Sequence, residues 1–195
     1  MRKLILTSVV LLAFAAGTSA QVNTPVSLYA GGALSMPSSE AFNAGWQMGY
    51  HGCAGVGWKA APNLQVIGKM EYHHFFFDFA DLLGIDGGAT KMWVYGVDGR
   101  YSLGLPAVPL KPYVLGGVGL ASISWSEFEG TSLAAAVLND AMSESVTKMY
   151  FNIGAGLELK TVPGLSLFAQ ARWIRVATEG EAMSFVPVTL GVKLF

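Results

Sequence analysis

Eight stretches of this chain alternate apolar with polar residues, which is the period of a β-strand. They run over about 26–36, 44–59, 63–76, 90–104, 111–126, 147–160, 164–176 and 184–195. In the third, Leu64, Val66, Met70 and Tyr72 alternate with Gln65, Lys69, Glu71 and His73. In the fourth, Trp93, Tyr95, Val97, Tyr101 and Leu103 share one face, and Asp98, Arg100 and Ser102 take the other. The sixth sets Phe151, Ile153 and Leu157 against Asn152 and Glu158, and the seventh sets Leu167, Ala169 and Trp173 against Gln170 and Arg172. Beyond residue 20 no apolar run reaches the roughly 18 residues that a spanning helix needs.

Composition decides which side of these strands meets the surroundings. The chain is 52% hydrophobic and only 13% charged, where a soluble domain carries about 25% charged residues. A soluble β-sandwich turns its apolar face inward; a barrel in lipid inverts that arrangement. Here one face of each strand is almost free of charge. In a bilayer only helices and closed barrels satisfy every backbone hydrogen bond. The expected fold is therefore all-β: an eight-stranded antiparallel up-and-down transmembrane β-barrel.

The connections support this. Three are short and carry proline: Ala60-Ala61-Pro62-Asn63, Leu105-Pro106-Ala107-Val108-Pro109 and Thr161-Val162-Pro163-Gly164. Four are longer or more polar, at about 37–43, 77–89, 127–146 and 177–183. Outer-membrane barrels have short periplasmic turns and longer outer loops, and the order long, short, long, short, long, short, long fits with both termini on the periplasmic side. Residues 131–145 are expected to form a short surface helix. Ten acidic residues, Glu40, Asp78, Asp81, Asp86, Glu127, Glu129, Asp140, Glu144, Glu179 and Glu181, fall in the four outer loops, while Lys59, Lys111 and Lys160 flank the short turns. Trp46, Trp58, Trp93, Trp125 and Trp173 sit near strand ends, as aromatic girdles do.

Residues 1–20 read as a cleavable signal peptide. Arg2 and Lys3 precede an apolar stretch from Leu4 to Ala16, and Thr18-Ser19-Ala20 supplies the small residues for cleavage before Gln21. Residues 21–195 then form one barrel domain, exported to the Gram-negative outer membrane. Without Arg2 and Lys3 the 12 basic residues fall to ten against 13 acidic, a net charge of about −3. No basic stripe points to nucleic acid. Cys53, alone in the chain, reads as a small buried filler.

Several segments resemble the OmpA/OmpX-type outer-membrane β-barrel family. Ser27-Leu28-Tyr29-Ala30-Gly31-Gly32 followed by Met36-Pro37 is similar to that family's first strand and turn, and Lys111-Pro112-Tyr113-Val114-Leu115-Gly116-Gly117-Val118-Gly119 to its fifth-strand signature. The aromatic end, Leu190-Gly191-Val192-Lys193-Leu194-Phe195, resembles the segment that the barrel-assembly machinery recognises in the family. Phe195, however, falls on the parity of Lys193, Gly191 and Thr189 rather than that of the apolar residues, so a bulge or an end beyond the last paired residue is expected.

The chemistry, if any, lies inside. Eight strands enclose an interior just wide enough for side chains to fill. The inward set read from parity is Gln47, His51, Lys69, Glu71, His73, Asp98, Arg100, Lys148, Asn152, Glu158, Gln170 and Arg172. Of these, Lys69, Glu71, Asp98, Arg100, Glu158 and Arg172 form the expected lumen polar network, because buried charges must be paired. Glu71 is expected to meet Lys69 or Arg100, and Glu158 to meet Arg172. Neither a cofactor nor a metal is expected: His73 and His74 are adjacent in a strand and face opposite ways. A catalytic grouping of His74 with Asp78 and Ser126 is weak, and no His-x-Ser occurs. The leading reading is a non-catalytic structural or surface-interaction barrel whose partners are outer-membrane lipid and lipopolysaccharide. A narrow porin-like conduit for ions or small solutes is the alternative.

Overall fold

The computed structural model describes residues 25–43, 45–77, 86–87, 89–104, 109–126, 128–129, 145–178 and 182–195. Eight long strands form its wall: β1 (Val26–Pro37), β2 (Gly49–Ala61), β3 (Leu64–Phe76), β5 (Ala89–Ser102), β6 (Leu110–Trp125), β8 (Val146–Val162), β9 (Leu165–Val176) and β10 (Met183–Leu194). Two-residue strands β4 (Asp86–Gly87) and β7 (Phe128–Glu129), within the second and third long connections, pair with each other. Each long strand pairs antiparallel with the next, and β1 closes on β10 from Leu28↔Leu194 to Pro37↔Phe185. The barrel has no free edge.

Alternation positions the side chains as the sequence implies. In β8, Tyr150, Asn152 and Glu158 are buried while Met149, Phe151, Ile153 and Leu157 are exposed, Ile153 at 63%. Val56, Val97, Val118 and Leu190 stand out on other strands in the same way. So continuous an apolar belt is unstable in water and suits hydrocarbon.

Glycine explains how a narrow interior takes large groups. A Cβ on Gly96 or Gly119 would collide with Tyr150, and one on Gly154 with Arg172. Bulky inward residues thus lie across glycines of neighbouring strands. At one turn the backbone itself requires glycine: Gly164 follows Pro163 with φ +81°.

Three details depart from the sequence expectation. The second strand begins at Gly49, not near residue 44, because a one-turn helix, α1 (Glu40–Asn43), intervenes. Gln47, expected inward, is exposed ahead of the strand, its N–H donating to the Phe76 carbonyl at 2.8 Å. Trp46 and Trp125 are near the outer end, but they pack against the interior cluster rather than joining a lipid-facing girdle. The expected helix at 131–145 falls almost wholly outside the described residues, as do the Pro106 turn and most of the acidic loop positions.

Candidate functional site in the barrel lumen

The lumen is filled in layers along the barrel axis. In the lower layer, towards the short turns, the Arg100 guanidinium donates to Glu158, and Lys193 Nζ lies 3.2 Å from each Glu158 carboxylate oxygen. Arg100 also lies 3.6 Å over the Tyr113 ring, a cation–π contact in a desolvated setting. Its Nη1 donates to the Tyr29 hydroxyl at 3.3 Å, and Tyr29 in turn donates to Gln65.

The middle layer holds the remaining charges. Lys69 Nζ lies 2.8 Å from Asp98 and 3.4 Å from Glu71. Arg172 Nη2 lies 2.8 Å from Glu71, and Asn152 donates to Asp98 at 2.9 Å. Two cations balance two anions in this layer, as burial demands. A cavity of about 40 Å³, lined in part by Cys53, Gln170 and Leu115, separates it from the lower layer.

Sequence parity brings the six network residues to the interior and gives Glu71 its contact with Lys69, but it assigns Glu158 the wrong partner. Glu158 meets Arg100 and Lys193, whereas Arg172 meets Glu71 and not Glu158. The reason is axial rank. Glu158 aligns with Phe168 while Arg172 aligns with Gly154, four positions further along β8, or about 13 Å at strand rise. Of the two partners expected for Glu71, it takes Lys69 and not Arg100, which stands opposite Gln65. Lys193 is absent from the expected network although its parity with Gly191 and Thr189 marks it as inward.

Above the charges runs a chain of imidazole and hydroxyl groups. His73 Nε2 lies 3.2 Å from Glu71, and Ser35 Oγ lies 2.9 Å from His73 Nδ1 and 3.1 Å from His51 Nδ1. His51 Nε2 reaches Thr189 Oγ1 at 2.9 Å. Serine, histidine and glutamate therefore do come together, but around His73 rather than His74, and all are buried. His74 points the other way and stacks on Tyr50 at 5.0 Å. No group of three metal-ligating side chains occurs among the described residues.

The outer third of the lumen is apolar, which sequence reasoning missed. Phe75, Met92, Val94, Ala121, Ile123, Tyr150, Ile174, Val176 and Phe185 pack together there, and Phe42 of α1 closes over them. Phe42 lies 4.8 Å from Phe75, edge to face. Phe75 and Phe185 share the inward parity of His73 and Thr189.

No protein-family model and no curated protein matches the sequence. Solved structures do. The barrel superposes on Neisserial surface protein A with a TM-score of 0.62 at 14% identity, over 88% of this chain and 97% of that one. The fold is that of a small eight-stranded outer-membrane barrel. Ail, the attachment invasion locus protein of Yersinia pestis, gives a TM-score of 0.52 at 17% identity, over 87% and 96% of the two chains. Ail is also known in complex with the heparin analogue sucrose octasulfate. What this barrel shares with them is the backbone course, in keeping with the OmpA/OmpX-type resemblance of its strands.

Phe195 of this barrel lies beyond the last paired residue, Leu194. Its φ is +75°, its N–H donates to the Gly164 carbonyl at 2.8 Å, and its side chain is 43% exposed.

Proposed function

We infer that this chain is an integral outer-membrane protein of a Gram-negative cell with a structural or surface-interaction role, without catalysis and without steady conduction. The observation that carries this is the twofold closure of the lumen. Paired charges fill its middle and an apolar plug fills its outer third. An ion crossing the barrel would have to separate buried ion pairs and then enter a dry, aromatic-lined segment, and each step is expensive. With its interior occupied, the barrel has its lipid face and its outer loops left for interaction. The likeness to a surface protein and to an attachment protein supports the same assignment.

The rest of the reading follows from export. Residues 1–20 act as the signal peptide, the apolar belt contacts outer-membrane lipid, and the outer loops face lipopolysaccharide. The Phe195 segment, exposed past the end of β10, serves as the contact for the barrel-assembly machinery. The test is a planar-bilayer recording of the purified protein. A silent membrane supports the closed reading; steady unitary conductance would overturn it in favour of a narrow ion conduit.

A further inference from the structure

At the short-turn end the barrel opens into a vestibule of about 600 Å³. Lys59, Lys111, Lys160 and Lys193 line it, each projecting from a different strand, respectively β2, β6, β8 and β10. All four share the inward parity of their strands: Lys59 with Gly57, Lys111 with Tyr113, Lys160 with Glu158, Lys193 with Gly191. Among the described side chains lining the vestibule Glu158 is the one acid, and Arg100, from the lumen side, and Lys193 both pair with it. That leaves Lys59, Lys111 and Lys160 at the mouth with no acidic side chain of the lining to offset them. Lys160 is an electrostatic neighbour of Lys193. Serine, asparagine and glutamine side chains (Ser27, Asn63, Gln65, Ser102) add hydrogen-bonding groups to the same wall.

Like charges held around a concave, low-dielectric mouth focus a positive potential and concentrate anions there. Lysine suits phosphate as a compact point charge with rotatable donors. We propose that the vestibule formed by Lys59, Lys111, Lys160 and Lys193 is a binding site for a multivalent phosphate-class anion on the periplasmic side. The occupant is either a free oxyanion or the headgroup of an anionic phospholipid from the inner leaflet. This site goes beyond the surface role inferred above and borrows from it only which end faces the periplasm.

The test is calorimetric titration of the full protein, in phosphatidylcholine nanodiscs at low salt, with inorganic pyrophosphate. Saturable one-to-one binding is expected, weakened at least roughly tenfold in Lys111→Gln/Lys160→Gln and unchanged in Lys91→Gln, at the opposite end of the barrel. Both lysines are solvent-accessible, and unheated gel mobility checks that the variant is folded. Repeating the titration in discs containing phosphatidylglycerol separates the sources. A wild-type-specific loss of apparent pyrophosphate affinity identifies the lipid headgroup as competitor, whereas no loss identifies the free oxyanion. Absence of saturable binding, or equal binding by wild type and double variant, would overturn the site. Neither result bears on conductance, so the two readings fail separately.

Discussion

The Nη2 atom of Arg172 lies 2.8 Å from one carboxylate oxygen of Glu71 and 2.9 Å from the other. Both residues are buried, and Glu71 also accepts Lys69 and His73, so it is the hub of the middle layer. Breaking a buried pair by removing one partner costs about 3–5 kcal/mol, whereas replacing both with apolar groups is often neutral. We expect Glu71→Ala alone to lower the urea midpoint of the folded barrel in vesicles sharply, and Glu71→Leu/Arg172→Met to recover much of the loss. Equal loss in single and double variants would deny that the pair is coupled.

The lipid face is tested at β8. Ile153→Arg at mid-membrane is expected to cost about 2–4 kcal/mol. Asn152→Ser, on the inward side, loses one hydrogen bond to Asp98 and is expected to cost about 0.5–1.5 kcal/mol. The fraction of each variant that reaches the folded, heat-modifiable form measures the difference.

Gly119→Val is expected to block folding or to lower stability by about 1–3 kcal/mol or more, because its Cβ would run into the Tyr95 carbonyl and the Tyr150 ring. Gly52→Val is the control, since nothing lies within 4 Å of a Cβ at that position. Comparable yields of the two folded barrels would refute the packing argument.

Two barriers in series make a further prediction for conductance. Phe75→Ser/Phe185→Ser opens the outer plug but leaves the middle charges paired, and its membranes are expected to stay silent. Adding Glu71→Ala and Glu158→Ala to that variant, so that the middle and lower layers both lose their pairing, is expected to produce current. Current from the plug variant alone would mean that the charge layer does not seal.

Sidedness has its own assay. Protease added to whole cells is expected to cut within 127–146 and to spare the turns at Pro62, Pro106 and Pro163. Cleavage at those turns in intact cells would invert the topology.

The strands and their faces were legible in the sequence because the side-chain period of a strand is two and lipid leaves one face free of charge. Glu71, Asp98, Arg100 and Arg172 could be placed inward on parity alone. Their partners could not: whether Arg172 reaches Glu71 or Glu158 depends on the stagger of the closed sheet, which no single strand records. The outer plug was hidden differently. Phe75 sits in a Phe75-Phe76-Phe77 run whose neighbours mask its parity, and Phe42 lies on a turn of helix that only tertiary packing holds in place. Lys193 carries inward parity with Gly191 and Thr189, but the apolar and aromatic residues around it dominate the terminal segment.

One irregularity in the wall carries a mechanical consequence. β10 pairs with β9 at Met183↔Val176 through Phe185↔Ile174 and again from Val188↔Ala171, but not at Val186 or at Pro187, which has no N–H to give. The β1 side of β10 is paired through this stretch, at Met36↔Val186 and Ser35↔Pro187. The cylinder is thus stitched less densely along one seam than along its neighbours. Pulled from its ends, it would tear there first, and at rest the amide proton of Arg172, which points into this seam, would trade with solvent sooner than that of Trp173, which points to the paired β8.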